Sequence, residues 1–221
     1  MTGTQYLRCI TYNSGSTVQP GRIHSISKEL DRVKLVALQG TRIRRKPMES
    51  DHNFFHTDDH IIVTFGYGRG SYTNRSCGLT FLLNRRLFKR NDILKVFPVP
   101  NDLQGRCAAL FIKLGSAQIL LINAYFAPPF SQSTTIYKGC VDRIIAWMKR
   151  TLRTCKPITT PIICMDLNDG MQQWPIEDDQ PTTRTITANF FSTSERHCDN
   201  YRLYLCPDCC SPHCGKGSHA G

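Results

Sequence analysis

Several apolar runs of this 221-residue sequence end in polar side chains of the types that handle phosphates and hard cations. Asn13 closes "CITYN", Asn123 and Tyr125 lie in "LLINAYFAPP", and Asp166 and Asn168 follow "PIICM". A single Asn or Asp at a strand end is usually a turn cap. If these ends share one edge of a sandwich, however, their carboxylate, amide and phenol groups form a cleft suited to hydrolysis of a phosphoester with a divalent cation.

A further apolar run, "KLVALQGTR", ends in Gln39, Gly40 and Thr41. This strand end offers an amide and a hydroxyl group, but no carboxylate. Neither group replaces the charge of a carboxylate as a ligand for Mg²⁺.

The elements that must position these residues follow from hydrophobic periodicity. Apolar alternation predicts strands over roughly 6–13, 34–40, 60–66, 78–84, 93–98, 107–114, 117–125 and 161–167. Apolar residues at helical spacing predict helices over 20–33, where Pro20 suits the first turn, and over 134–153. A run of strands between two helices predicts an α/β (α+β) fold, with two mixed β-sheets packed face to face and helices outside.

Four motifs, in this order and at these intervals, are "ITYN", "ALQGTR", "NAYFAPP" and "MDLND". Together they resemble the successive signatures of the endonuclease/exonuclease/phosphatase superfamily, over roughly residues 5–195. The segments "LQGTR" and "GYGRGSYTNRSCGLTFLLNRR" look closest to the apurinic-endonuclease-like domains of retrotransposons. The resemblance implies a four-layer αββα sandwich and phosphodiester hydrolysis that depends on Mg²⁺ or Mn²⁺.

The resemblance also implies roles for individual residues. Asn13 would lie beside the metal, and Tyr125 would help to hold the scissile phosphate. Asp166, as metal-site and catalytic carboxylate, would orient or deprotonate the attacking water, and Asn168 would bind the phosphate or the leaving side. Met165 stands where the family pattern has Gly.

Two departures from the family pattern affect the chemistry. The family has Glu, its principal Mg²⁺ ligand, at the position of Gly40. Glu49, Asp51 or Asp169 could take its place only by moving into the site. The Ser-Asp-His step of the last family strand is also missing, so the chain is expected to lack its C-terminal strands. The sequence therefore predicts a degenerate or weakly active site.

Basic residues dominate the charge of the chain. Lys and Arg number 28 against 17 Asp and Glu, which gives a formal charge of +11. One cluster, with Arg42, Arg44 and Arg45, directly follows the predicted active edge, and Arg69 lies in "GYGRG". A second cluster contains Arg85, Arg86, Lys89 and Arg90. Such surfaces attract nucleic acid, DNA rather than RNA in our interpretation, although ordinary solvated loop charges give the same pattern.

The cysteines divide the chain into two parts. Six of the eleven are scattered singly through the predicted elements and are expected to be reduced, mostly buried small side chains. The other five lie between Cys198 and Cys214 and include a Cys-x-x-Cys pair, Cys206 and Cys209. Adjacent Cys209–Cys210 and His213–Cys214 fit no usual zinc-ligand spacing, so zinc is not expected. We therefore predict an endonuclease/exonuclease/phosphatase-like domain over 1–195 and a disordered Cys-rich tail over 196–221.

Three hypotheses from different classes remain. The first is an active phosphodiesterase with rerouted metal ligands, and the second is a non-catalytic, basic nucleic-acid-binding remnant of a retroelement. The third is a zinc-binding interaction protein organised by the tail. No stretch has the apolar core of a signal peptide or the ~20 apolar residues of a membrane span. We expect an intracellular protein, nuclear or cytoplasmic.

Overall fold

The computed structural model describes residues 7–46, 50, 52–126, 134–155 and 159–166. Its strands are β1 (Cys9–Asn13), β2 (Leu35–Gln39), β3 (Asn53–His56), β4 (His60–Phe65), β5 (Leu79–Asn84), β6 (Ile93–Val96), β7 (Cys107–Leu114), β8 (Ala117–Tyr125) and β9 (Thr159–Asp166). The helices are α1 (Arg22–Glu29) and α2 (Thr134–Arg153), with short 3₁₀ turns at Arg90–Asp92 and Asn101–Leu103.

The strands form two mixed sheets. The five-stranded sheet has the order β1-β2-β5-β4-β3, in which β1 and β2 are parallel and the other neighbours are antiparallel. The four-stranded sheet has the order β6-β7-β8-β9, in which only β8 and β9 are parallel. In both sheets the parallel pair joins strands separated by a helix, because parallel neighbours need a crossover connection.

Three apolar clusters define the layers. The largest lies between the sheets and contains Leu35, Phe81, Leu110 and Leu121. A second cluster packs α2 through Trp147 against the outer face of the four-stranded sheet. The third packs α1 against the outer face of the five-stranded sheet. The predicted αββα sandwich is therefore confirmed.

Helix α1 is shorter than its sequence pattern suggested. The apolar spacing predicted residues 20–33, whereas the helix ends at Glu29. Leu30 still donates its N–H to Ile26 O at 3.0 Å, and Val33 N then bonds Leu30 O at 2.9 Å in a turn. Val33 is buried in the same cluster as α1, so the apolar pattern continues although the helix does not.

Each predicted strand has a counterpart in the structure, with ends that differ by a few residues. Strand β3 was missed because "NFFH" has no polar–apolar alternation. It pairs with β4 through a turn in which Thr57 N bonds His60 O at 2.9 Å. The predicted loss of C-terminal strands, the domain boundary at 195/196 and the Cys-rich tail lie outside the described residues.

The six singly placed cysteines are free thiols. Cys77, Cys107, Cys140 and Cys164 are buried, and the other two are half-buried. Cys9 of β1 and Cys164 of β9 face each other between the sheets, with their Sγ atoms 3.9 Å apart. This contact and burial raise the pKa of the Cys164 thiol well above its ordinary value, which keeps it protonated.

Candidate functional site

The polar strand ends belong to the row of residues that faces the space between the two sheets. Cys9 and Cys164 pack there, and side chains alternate along a strand, so Asn13 and Asp166 face the same space. Asn13 pairs in register with Gln39, and Tyr125 with Asp166. These ends, from both sheets, therefore meet at one edge of the sandwich, which we call the upper edge.

A hydrogen bond joins the two sheets at the upper edge. Asn13 Nδ2 donates to Asp166 Oδ2 at 2.6 Å, and Gly15 N donates to Asn13 Oδ1 at 3.0 Å. Asn13 is exposed and Asp166 is half-buried, so substrate and solvent can reach both. The structure thus brings these two predicted site residues together, while their chemical roles stay predictions.

On the neighbouring strands lies a second contact between the sheets, made by Gln39 and Asn123. Gln39 Nε2 donates to Asn123 Oδ1 at 2.7 Å and to Thr11 Oγ1 at 2.8 Å. Asn123 Nδ2 donates to Leu38 O at 3.0 Å. Gln39 and Asn123 are 1% and 0% exposed, so both amides link the sheets rather than face a substrate.

Gly40 lies beside Asn13, where the family pattern has its ligand Glu. Its φ of +63° is in the left-handed region, and an added Cβ would lie 2.8 Å from Asn13 Oδ1. An L-residue at this position would therefore be strained by its backbone and would also displace the Asn13 side chain. This edge therefore differs from the family pattern in its backbone conformation at Gly40 as well as in the missing Glu carboxylate.

Thr41 cannot supply a ligand to the edge. It is 0% exposed, its N–H donates to Gly78 O at 3.1 Å, and its hydroxyl has no hydrogen-bond partner among the described residues. Gly78, with φ +122°, passes so close that an added Cβ would overlap the Thr41 hydroxyl. Thr17 donates its hydroxyl to Thr41 O at 3.2 Å, which fixes this segment from the other side.

Tyr125 is 5% exposed and packs beside a buried cation that sequence reasoning missed. The Arg106 guanidinium carbon lies 5.1 Å from the Tyr125 ring centroid. Arg106 Nε donates to Tyr72 O at 2.9 Å, whereas Nη2 has no hydrogen-bond partner in the described part of the chain and the residue is 0% exposed. The sequence feature that could have indicated its burial is its position directly before the mostly buried strand Cys107–Leu114.

The described residues of the upper edge offer few ligands for a divalent cation. None of the described His, Cys, Asp and Glu side chains gather in a group of three or more that could hold a metal. At the upper edge, Asp166 supplies the carboxylate and Asn13 an amide oxygen that already accepts a hydrogen bond. Glu49, Asp51, Asn168 and Asp169, all considered from the sequence, lie outside the described residues.

Cationic side chains border the upper edge. Arg42 is exposed, has φ +58° and donates its N–H to Cys77 O at 2.9 Å. Arg44 is exposed and forms a β-bridge with Tyr67, and Arg45 is half-buried and donates its N–H to Tyr67 O at 3.0 Å. Arg69 is exposed in the loop that follows. A polyanion at the upper edge would meet these charges.

Among the described helices, none is long and apolar enough to cross a membrane. No protein-family model matches the chain, and no curated protein matches it.

Solved structures match over about three quarters of the chain. An AP endonuclease from Archaeoglobus fulgidus has 20% identity and a TM-score of 0.47, over 74% of this chain and 58% of its own. The 3'-5' exonuclease NExo from Neisseria meningitidis has 14% identity and a TM-score of 0.44, over 72% and 57%. D. rerio TDP2, complexed with a single-strand DNA product, has 13% identity and a TM-score of 0.42, over 72% and 60%.

The chain therefore spans about three-fifths of the length of each of these proteins. Two of them are nucleases by name.

Proposed function

We propose that this chain is a nucleic-acid-binding domain of the endonuclease/exonuclease/phosphatase type, whose metal-dependent phosphodiester hydrolysis is impaired. The order of the four motifs and the αββα sandwich support the type of domain. DNA as the partner, a retroelement origin and the impairment are inferences from the residues of the upper edge and its cationic border.

The observation that carries the proposal is the Asn13–Asp166 hydrogen bond of 2.6 Å between the two sheets. It places an accessible carboxylate at an edge bordered by Arg42, Arg44 and Arg69. In the proposed role, Asp166 accepts a proton from the attacking water and Asn13 holds the carboxylate in one orientation. Tyr125, at the neighbouring strand end, is the residue proposed to contact the phosphate.

The absence of a carboxylate at Gly40 supports the proposal that hydrolysis at this site is slow. A divalent cation would supply charge neutralisation at the phosphate, but it is normally held by carboxylates that this edge largely lacks. The left-handed backbone of Gly40 disfavours return of the ligand by a single substitution. The second candidate function, nucleic-acid binding without cleavage, follows from the same observation.

Cleavage is tested by relaxation of supercoiled plasmid in Mg²⁺ and in Mn²⁺. We compare the wild type with Asp166→Ala and with Asp142→Ala, which removes an exposed carboxylate from α2. Positioned acid–base groups contribute about 10²–10⁴-fold each. Because the sequence lacks the family's Ser-Asp-His step, the wild type should nick slowly at best. Efficient nicking that Asp166→Ala abolishes and Asp142→Ala preserves would show a competent site and overturn the impairment.

Binding is tested separately, by fluorescence anisotropy with a labelled duplex between 50 and 200 mM salt. Affinity should fall steeply with salt because phosphate contacts release counterions. Arg42→Ala and Arg69→Ala should each weaken binding more than Lys28→Ala, which removes an exposed charge from α1. A salt-independent isotherm, or equal effects of all three variants, would count against the upper edge as the nucleic-acid surface.

A further inference from the structure

The second cationic cluster forms a shallow cavity far from the upper edge. The cavity has a volume of about 280 Å³ and an apolar floor under a cationic rim. Its lining residues are Ile61 and Phe88 in the floor and His56, Arg85, Lys89 and Arg90 around it. Ile61 and Phe88 are 2% and 1% exposed, whereas the four rim residues are exposed.

The strand registers place this cavity at the opposite corner of the five-stranded sheet. His56 pairs with Ile61, which stands in the same row as Cys9, at the start of β1. Asn13 lies four residues further along β1, about 13 Å away at 3.3 Å per residue. Strands β1 and β3 are also four neighbours apart, about 19 Å at 4.8 Å per strand. One phosphate group cannot contact both places.

Local contacts hold the rim in place without neutralising it. The Arg90 guanidinium lies 3.1 Å from the Phe54 ring centroid, and Arg85 Nη1 donates to Thr57 O at 2.8 Å. Lys89 N donates to Asp92 Oδ2 at 2.6 Å, so the acid nearest in sequence bonds the backbone. Within the described part of the chain, no carboxylate forms an ion pair with these three cations.

We propose that this cavity binds a backbone phosphate of a nucleic-acid segment separate from the one at the upper edge. Two guanidinium groups and an ammonium group can donate to several oxygens of one phosphate. The apolar floor excludes water beneath the anion and so strengthens its attraction to the rim. Because the rim residues are exposed, a continuous backbone can pass over them, and the negative charge of a polymer gains from the total charge of +11.

Two phosphate sites at opposite corners make the chain a bridge between nucleic-acid segments, or between distant parts of one bent segment. The bridge rests on nucleic-acid binding at the upper edge. The phosphate site at the cavity itself goes beyond the proposed function, since it does not require the upper edge to bind or to cleave.

The test follows the imidazole NMR signals of His56, which lies on the rim. Inorganic phosphate, thymidine monophosphate and a short duplex are titrated in turn into the full chain. The variants are Lys89→Glu, which reverses the charge of one rim residue, and the matched control Lys28→Glu on α1. Arg69→Glu, which reverses an exposed charge at the upper edge, reports whether that edge contributes.

We expect a saturable shift of the His56 signals with the duplex and a weaker one with inorganic phosphate. Lys89→Glu should weaken duplex binding at His56 by about tenfold, while Lys28→Glu leaves it unchanged. Thermal unfolding checks that both charge variants are folded, and Lys89→Gln, which only removes the charge, should give a smaller loss in the same direction.

The proposal is overturned if no shift saturates, or if Lys28→Glu weakens binding as much as Lys89→Glu does. Tighter binding of thymidine monophosphate than of the duplex also overturns it, because the site would then belong to a free nucleotide. Loss of the His56 shift in Arg69→Glu would mean that there is one binding surface and not two. Failure of plasmid nicking does not affect any of these readings, so the two proposals fail independently.

Discussion

Two polar contacts join the sheets at the upper edge, and they differ in depth. Gln39 and Asn123 are buried and bond each other, Thr11 and a backbone carbonyl, while Asn13 and Asp166 bond each other within reach of solvent. Both pairs come from the same kind of sequence feature, a polar residue near the end of an apolar run. Depth decides what such a residue does, because a buried amide must be fully bonded and an accessible carboxylate can exchange partners.

The largest expected effect is the loss of the buried contact. Asn123→Ala removes the acceptor for Gln39 Nε2 and the donor to Leu38 O, and it leaves a void between the sheets. We expect it to lower the free energy of unfolding by about 2–4 kcal/mol, measured by urea denaturation. Gln39→Leu/Asn123→Leu, with no orphaned amide, should recover part of the loss. If Asn123→Ala lowers the unfolding free energy no more than Asn13→Ala does, the two contacts do not differ as proposed.

Gly40 affects the exposed pair because its backbone leaves room for the side chain of Asn13. Gly40→Ala should cost about 1–3 kcal/mol of unfolding free energy, from the left-handed φ and the contact with Asn13 Oδ1. Gly115→Ala is the matched control, since φ there is +59° and an added Cβ meets nothing within 4 Å. Equal losses in the two variants would show that Asn13 yields without cost.

The same geometry applies to Gly40→Glu, the substitution that would return the family carboxylate. We expect a destabilised chain with little gain in Mn²⁺ affinity by calorimetry. Tight Mn²⁺ binding by a stable Gly40→Glu variant would contradict the interpretation that the backbone disfavours the ligand.

A buried polar residue away from the upper edge extends the comparison to pH. His60 is 0% exposed, and its ring nitrogens contact Ser27 Oγ at 2.8 Å and Val33 O at 3.3 Å. Since Val33 O can only accept, Nε2 carries the hydrogen of a neutral ring. Burial lowers the pKa of His60 below 6.5, although the Val33 carbonyl, Asp59 and Asp31 act in the opposite direction.

Because the unfolded chain then binds the proton more readily, this contribution to stability is full above about pH 6.5 and is lost as the pH falls below it. The slope should not exceed about 1.4 kcal/mol per pH unit. Urea denaturation at pH 7.5, 6.5 and 5.5 should show a shallower dependence in His60→Gln than in the wild type. Parallel curves for the two proteins would mean that His60 titrates as in the unfolded chain.

The smallest expected effect on stability belongs to the exposed pair. Asn13→Ala and Asp166→Asn should each change the unfolding free energy by less than about 1 kcal/mol, because water replaces the lost partner. A loss as large as that of Asn123→Ala would place the exposed pair among the structural contacts and remove the distinction between the two.

The sequence predicted the sandwich because periodicity reports which face of each element is buried. It also located the upper edge, since parallel strands on either side of a helix carry their polar ends to the same side. It could not separate Gln39 from Asn13, because their partners lie 84 and 153 residues away. For the same reason Arg106 was missed, since only the fold shows that its neighbours are carbonyl groups and an aromatic ring.

The Gln39–Asn123 hydrogen bond also limits how far one sheet can slide over the other. Apolar side chains between the sheets resist sliding weakly, because burial changes little over a displacement of an ångström and has no preferred direction. A hydrogen bond weakens steeply over the same distance. The buried amides thus set the alignment of β2 with β8, and with it the spacing between Asn13 on one sheet and Asp166 on the other. Like a locating pin in a hinge, the buried Gln39–Asn123 bond therefore limits how far Asn13 and Asp166 can move relative to each other.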